Sequence, residues 1–235
     1  ARPSQEAPAA GAARAMREEV RPAMLATIDP ARDALVAVDV QPDFMPGGAL
    51  PVPGGDAVVP VVNRLLGLFA VCAATQDWHP AGHSSFASSH PGAAPFSVVQ
   101  APYGEQTLWP DHCVQGTPGA ALHPALRAER FAAVLRKGWR PGVDSYSAFT
   151  ENDRRTPTGL AGWLRDQGVR RVFLAGLATD FCVGWSALDA VDHGFEAALV
   201  LDGCRGIGLP GAGGGADSTA AMLERLRSRG VGFVE

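Results

Sequence analysis

The chain has 235 residues, of which 46% are hydrophobic and 19% charged, with a formal net charge of −4. A chain of this size and apolar content folds and encloses a core, which excludes a disordered protein. The absence of a basic excess argues against a nucleic-acid partner, and the lack of any run of roughly 18 apolar residues argues against a transmembrane helix.

Residues 1–30 read as a separate N-terminal arm. Ala1 to Ala13 are Ala, Pro, Gly and a few polar residues with nothing to bury, and Arg14 to Met24 suffice for a turn or two of helix. Residues 31–235 read as one domain. Ala34–Val40 is a short apolar run of the kind that forms a parallel strand buried on both faces. Ala57–Phe69 has helical spacing, and Phe69–Thr75 reads as a second buried strand. Residues 80–125, rich in Pro, Gly, His and Ser, read as a long irregular segment, and such loops usually serve function. Alternation then resumes. Phe131–Arg136, Arg171–Ala175, Glu196–Leu201 and Gly232–Val234 are strand-like; Thr158–Gln167, Asp180–Asp192 and Ser218–Arg229 are helical, with Pro157 at a helix N-terminus. Gly211–Gly215 reads as a flexible loop. Six strands alternating with helices predict an α/β protein: a three-layer α/β/α fold on a six-stranded, mostly parallel sheet.

Ligands of open parallel sheets sit beyond the carboxyl ends of the strands, and reactive side chains collect there. Asp39 lies in the apolar end of the first strand, where burial should raise its pKa into the range of a general base, unless it is a structural acid. Asp77 and His79 are two apart, so an extended chain points both to one face. With His112 they form a candidate metal set that leaves coordination positions open, for zinc or iron. His83 and His90 are further candidates but read better as surface loop histidines, while His123 and His193 read as structural. Lys137 ends the third strand, either facing Asp39 or solvated. Cys182 falls at a helix start, where N–H groups lower a thiol pKa and can form an oxyanion hole. Cys113 is a rival thiol; Cys72 and Cys204 read as buried and inert. Four scattered cysteines with no C-x-x-C pair suit a reduced, cytoplasmic protein.

The segments VDVQPDF (38–44), TQDWHP (75–80), LWPDHCVQGTPG (108–119), RKG (136–138), DSYSAF (144–149) and GLATDFCV (176–183), in this order, resemble the nicotinamidase/pyrazinamidase branch of the isochorismatase-like cysteine hydrolases. The likeness runs from about Ala34 to Val234. It implies an Asp39–Lys137–Cys182 triad and a divalent metal (zinc foremost, iron or manganese otherwise) on Asp77, His79 and His112. It also implies a cis peptide at Leu177–Ala178, with the N–H groups of Ala178 and Cys182 as the oxyanion hole. Phe44 and Trp109 would flank the substrate ring, with Leu50 and Tyr146 as further lining. The implied reaction takes nicotinamide, and by the same resemblance pyrazinamide, to the acid and ammonia through a thioester, in NAD salvage. The ring nitrogen of nicotinamide would bind the metal. Alternatives left open are the same triad acting on another small amide, a zinc hydrolase in which Cys182 is merely packed, and a non-catalytic binding protein. The sequence also leaves open whether the chain forms a homo-oligomer.

Overall fold

The computed structural model describes residues 28–211 and 217–235. The arm and its short helix, and most of the Gly-rich loop, therefore lie outside the described residues.

Strand β1 (Asp33–Val38) is buried along its whole length. It lies at the centre of the main sheet, with β2 (Val71–Asp77) on one side and β6 (Arg171–Leu177) on the other. Beyond β2 stands β5 (Ala133–Lys137); beyond β6 stand β7 (Glu196–Arg205) and β8 (Gly232–Val234). Every pairing in this six-stranded sheet is parallel. Alternate residues of β1 serve different cores. Ala34, Val36 and Val38 join a cluster with Leu160, Leu164, Leu188 and Leu226, contributed by helices α2 (Leu160–Asp166), α3 (Gly184–Asp192) and α4 (Ser218–Ser228). Leu35 and Ala37 join a second cluster with Val58 and Val62 of α1 (Val58–Leu65). The sheet is thus sandwiched between helices, the three-layer arrangement expected of a strand run apolar on both faces.

Several boundaries differ from the sequence reading. β1 stops at Val38, because Asp39 turns out of the strand with φ +49°. β2 runs two residues further than expected and carries Asp77 as its last residue. The segment 80–125 is not wholly irregular: it contains an antiparallel hairpin, β3 (Val98–Ala101) and β4 (Gly104–Thr107). Helix α2 begins at Leu160, not at Thr158, because Gly159 takes a left-handed φ of +102° at the cap and leaves Pro157 outside the helix. The expected helix from Asp180 opens as a π-turn, Thr179–Val183, and becomes α-helical at Gly184. β7 continues to Arg205, four residues past the predicted end. Helix α4 begins where expected, its N-cap Asp217 accepting from the Ala220 N–H at 2.8 Å. Among the described residues no helix is long and apolar enough to cross a membrane.

Candidate active site

Because all the strands run the same way, the ends of β1, β2, β5 and β6 meet along one edge of the sheet. The positive φ of Asp39 drops its carboxylate toward β2, where its backbone N–H donates to Thr75 Oγ1 (3.2 Å) and the Thr75 hydroxyl donates to Asp39 Oδ1 (2.6 Å). Lys137 closes β5 in register with Asp77 of β2, so its stem crosses over β2 toward Asp39. The ammonium lies 2.7 Å from Asp39 Oδ2, 2.5 Å from Asp77 Oδ1 and 2.8 Å from the Ser145 carbonyl, and faces Cys182 Sγ at 3.3 Å. An ammonium has three hydrogens, so with four neighbours the thiol is its weakest partner. Asp39 Oδ2 is near the ammonium but has no well-aligned hydrogen bond among the described residues, so a lone pair stays available. Asp39, Lys137 and Cys182 are all buried, with 0%, 1% and 7% exposure.

Burial dominates the electrostatics. It pushes the Asp39 carboxyl above its usual range, against the pull of Lys137. It pushes the Cys182 thiol well above the ordinary thiol range, more strongly than Lys137 lowers it. This differs from the expectation of a lowered thiol: Cys182 sits in a buried π-turn, and desolvation, with the Asp39 and Asp77 carboxylates nearby, outweighs the pull of Lys137. For Lys137 burial acts the other way, yet Asp39 and Asp77 hold its pKa well above the ordinary lysine value. Burial would also raise Asp77, but Lys137 and His79 outweigh it and hold that carboxyl well below the usual range. The resting site therefore pairs a neutral thiol with a carboxylate whose proton affinity is raised.

Asp77 also faces the two imidazoles. Its Oδ2 lies 3.5 Å from both His79 Nε2 and His112 Nε2. His79 Nδ1 lies 2.8 Å from the Gly138 carbonyl and His112 Nδ1 lies 2.7 Å from the Pro110 carbonyl. A carbonyl only accepts, so each ring keeps a proton on Nδ1 and Nε2 is the nitrogen left to face a cation; burial lowers the His79 pKa, but Asp77 outweighs it and raises it. Asp77, His79 and His112 thus present three donor atoms within 4.8 Å of one another, and two of them are fixed in the metal-binding tautomer. The residues fit a divalent cation. Gly138 makes room for this arrangement: at φ +64°, a Cβ there would lie 2.5 Å from His79 Cε1.

Cys182 of the triad and Asp77 and His112 of the donor set line one small cleft. Phe44, Leu50, Trp109, Tyr146 and Ala178 line it beside these three. Asp144, Phe181 and Ile207 line it as well and were missed. Phe181 stands edge-on to Trp109 (centroids 4.8 Å apart) and near Tyr146 (5.5 Å), so three rings form one wall. Phe181 is part of GLATDFCV, but its direction depends on the π-turn, which sequence spacing does not reveal. Thr75, the partner of Asp39, was also missed; it lies two residues before Asp77 on the same strand, and same-face spacing could have found it. A larger open groove beside Gln76, Trp78 and Arg136 lies elsewhere and holds none of the reactive groups.

The other candidates separate cleanly. His83 is not a surface histidine but is fully buried: its Nδ1 accepts from the Ser85 N–H (3.2 Å) and its Nε2 donates to the Arg140 carbonyl (2.8 Å), which leaves no nitrogen for a metal. His90 is tied to the Ser84 carbonyl. Cys113 is fully buried, its thiol directed at the Gly119 carbonyl (4.0 Å), and it does not line the cleft. Cys72 and Cys204 are buried, and burial lifts the Cys204 thiol to about 12. The Leu177–Ala178 peptide is cis.

Residues 33–234 match the model of the isochorismatase domain family. The chain is 48% identical over 200 residues to the nicotinamidase of Acinetobacter baylyi, covering 84% of this chain and 94% of that one. Among solved structures it is similar to an Acinetobacter baumanii nicotinamidase/pyrazinamidase, at 45% identity and a TM-score of 0.84 over 88% of this chain and 98% of that one. It is also similar to a pyrazinamidase of Pyrococcus horikoshii solved in complex with zinc, at 38% identity and a TM-score of 0.68 over 87% and 99% of the two chains. The chain belongs to the isochorismatase domain family, in its nicotinamidase branch.

Proposed function

We propose that the protein hydrolyses nicotinamide to nicotinate and ammonia, and pyrazinamide in the same way, with Cys182 as nucleophile. The observation that carries this is the convergence of a buried carboxylate with an available lone pair and a buried ammonium on a thiol that lines a cleft walled by aromatic rings. The similarity to nicotinamidases supplies the substrate.

Asp39 Oδ2 takes the Cys182 proton as Sγ attacks the carboxamide carbon and the C–S bond forms. Negative charge develops on the amide oxygen and is met by the backbone N–H groups of Ala178 and Cys182. Asp39 returns the proton to the amide nitrogen, the C–N bond breaks and ammonia leaves a thioester. A water gives its proton to Asp39 and attacks that carbonyl; the C–S bond breaks, nicotinate departs and the thiol regains its proton. Lys137 stays charged throughout and holds Asp39 in place. Phe44, Trp109, Tyr146 and Leu50 bind and orient the ring, and their closeness keeps bulk water off the thiol. Asp77, His79 and His112 would hold one divalent cation, zinc by similarity to the zinc-bound pyrazinamidase, and it would supply a Lewis-acid anchor for the ring nitrogen.

We place the protein in the cytoplasm as a single domain from residue 31, with residues 1–30 as an appended arm. The four free cysteines and the span of the family match support this placement. Ammonia release from nicotinamide by the zinc-loaded chain tests the reading: it should be lost in Cys182→Ala and after chelation. Turnover by Cys182→Ala with loss on chelation alone would favour a plain zinc hydrolase.

A further inference from the structure

The donor set Asp77, His79 and His112 brings only one negative charge, and that carboxylate is already shared with Lys137. Asp39 adds a second carboxylate, and an imidazole that binds a cation through Nε2 is neutral, its one proton on Nδ1 against a carbonyl. A divalent cation placed there would leave this buried group one unit positive, and an uncompensated charge in a dry site is costly. One further buried carboxylate faces the same place. Asp144 lines the cleft, is almost fully buried, and sets its Oδ1 4.0 Å from His79 Nε2. His83, the other histidine grouped with Asp144 and His79, accepts an N–H at Nδ1 and is therefore neutral, so it gives Asp144 no countercharge.

Asp144 is also aimed. Its Oδ1 accepts the Ser145 N–H (2.8 Å), and its Oδ2 accepts from Gln106 Nε2 (2.9 Å) at the base of the β3–β4 hairpin. The Gln106 amide cannot turn over, because its Oε1 takes the Tyr103 hydroxyl (3.0 Å) and Asn152 Nδ2 (3.2 Å). We propose that Asp144 is a positioning residue of the cation site. It supplies the negative charge that neutralises a divalent cation beside Lys137, and Gln106 on the hairpin holds it in place. The inference rests on the reading that Asp77, His79 and His112 hold a cation.

The test uses zinc alone, titrated into the metal-free full chain against a competing chelator. Asp144→Asn should weaken zinc binding by about 10-fold or more, the usual size of an outer-partner effect. Gln106→Met keeps the charge and loses its aim, so it should weaken zinc binding in the same direction but less. A merely structural role for Asp144 makes the opposite statement about the metal-free protein. Without a cation the cluster carries excess negative charge, so metal-free Asp144→Asn should melt no lower than the parent, while the rise in its melting temperature on adding zinc should be smaller. Parental zinc affinity in Asp144→Asn overturns the inference, as does a lowered melting temperature in its metal-free form. A parent chain that takes up no zinc, and behaves in this titration like Asp77→Asn, instead overturns the cation reading and the inference with it.

Discussion

Lys137 is a single positive charge wedged between two buried carboxylates. Removing it leaves Asp39 and Asp77 facing each other without a cation, the situation in which breaking a buried pair is most damaging. Lys137→Met should therefore lower unfolding stability by roughly 3–5 kcal/mol in a urea titration. Parental stability would mean that the ammonium is not what holds the two acids. Asp39→Asn keeps the shape but removes the acceptor for the thiol proton. It should reduce kcat by about 10²–10⁴-fold, the usual share of a general base, with little change in melting temperature. The acid limb of kcat/KM should share this origin. Burial raises the Asp39 carboxyl, so activity should fall on acidification at a pH above about 4, the ordinary carboxylate value. A limb at or below that value would remove Asp39 from the role. The sequence disclosed these residues well, since each sits at the end of an apolar run. It did not disclose the protonation state of Cys182, because a helix start and a buried turn look alike in sequence while pulling a thiol pKa in opposite directions.

The elements place these groups through a few close backbone approaches. Gly138 follows β5 with φ +64°, and any Cβ there would press on the His79 ring. Gly138→Ala should tilt that ring, break its hydrogen bond to the Gly138 carbonyl and weaken zinc binding while the sheet stays folded. Zinc titration beside circular dichroism checks this, and unchanged zinc affinity would show the ring free to adapt. The central strands were legible because β1, β2 and β6 each carry a short apolar run and are buried on both faces. The β3–β4 hairpin was not, because its four-residue strands are mixed in polarity and largely surface-lying, so no strong period stands out among the prolines and glycines around it. That omission hid Gln106, and with it the link from the hairpin to Asp144. The start of α2 was misplaced for a local reason: Pro157 is a good first-turn residue, but Gly159 behind it takes a φ that a helix does not allow.

At the scale of the whole molecule, a cation that binds only the folded state should stabilise it by mass action. Zinc at about 100 times its dissociation constant should add about 2.7 kcal/mol to the metal-free chain, read as a rise in melting temperature. Chelation should remove activity without unfolding the protein, because Lys137 still pairs Asp77 when the cation is gone. Collapse of the circular dichroism signal on chelation would instead make the cation part of the fold. The measurement that bears most directly on the chemistry is mass spectrometry of the zinc-loaded chain quenched in acid during turnover of nicotinamide. The expected result is a nicotinoyl group on the Cys182 peptide, absent from Cys182→Ala, which should also release no ammonia. Ammonia release at the parental rate by Cys182→Ala, with no acyl group on the parent at any quench time, would contradict the thiol mechanism.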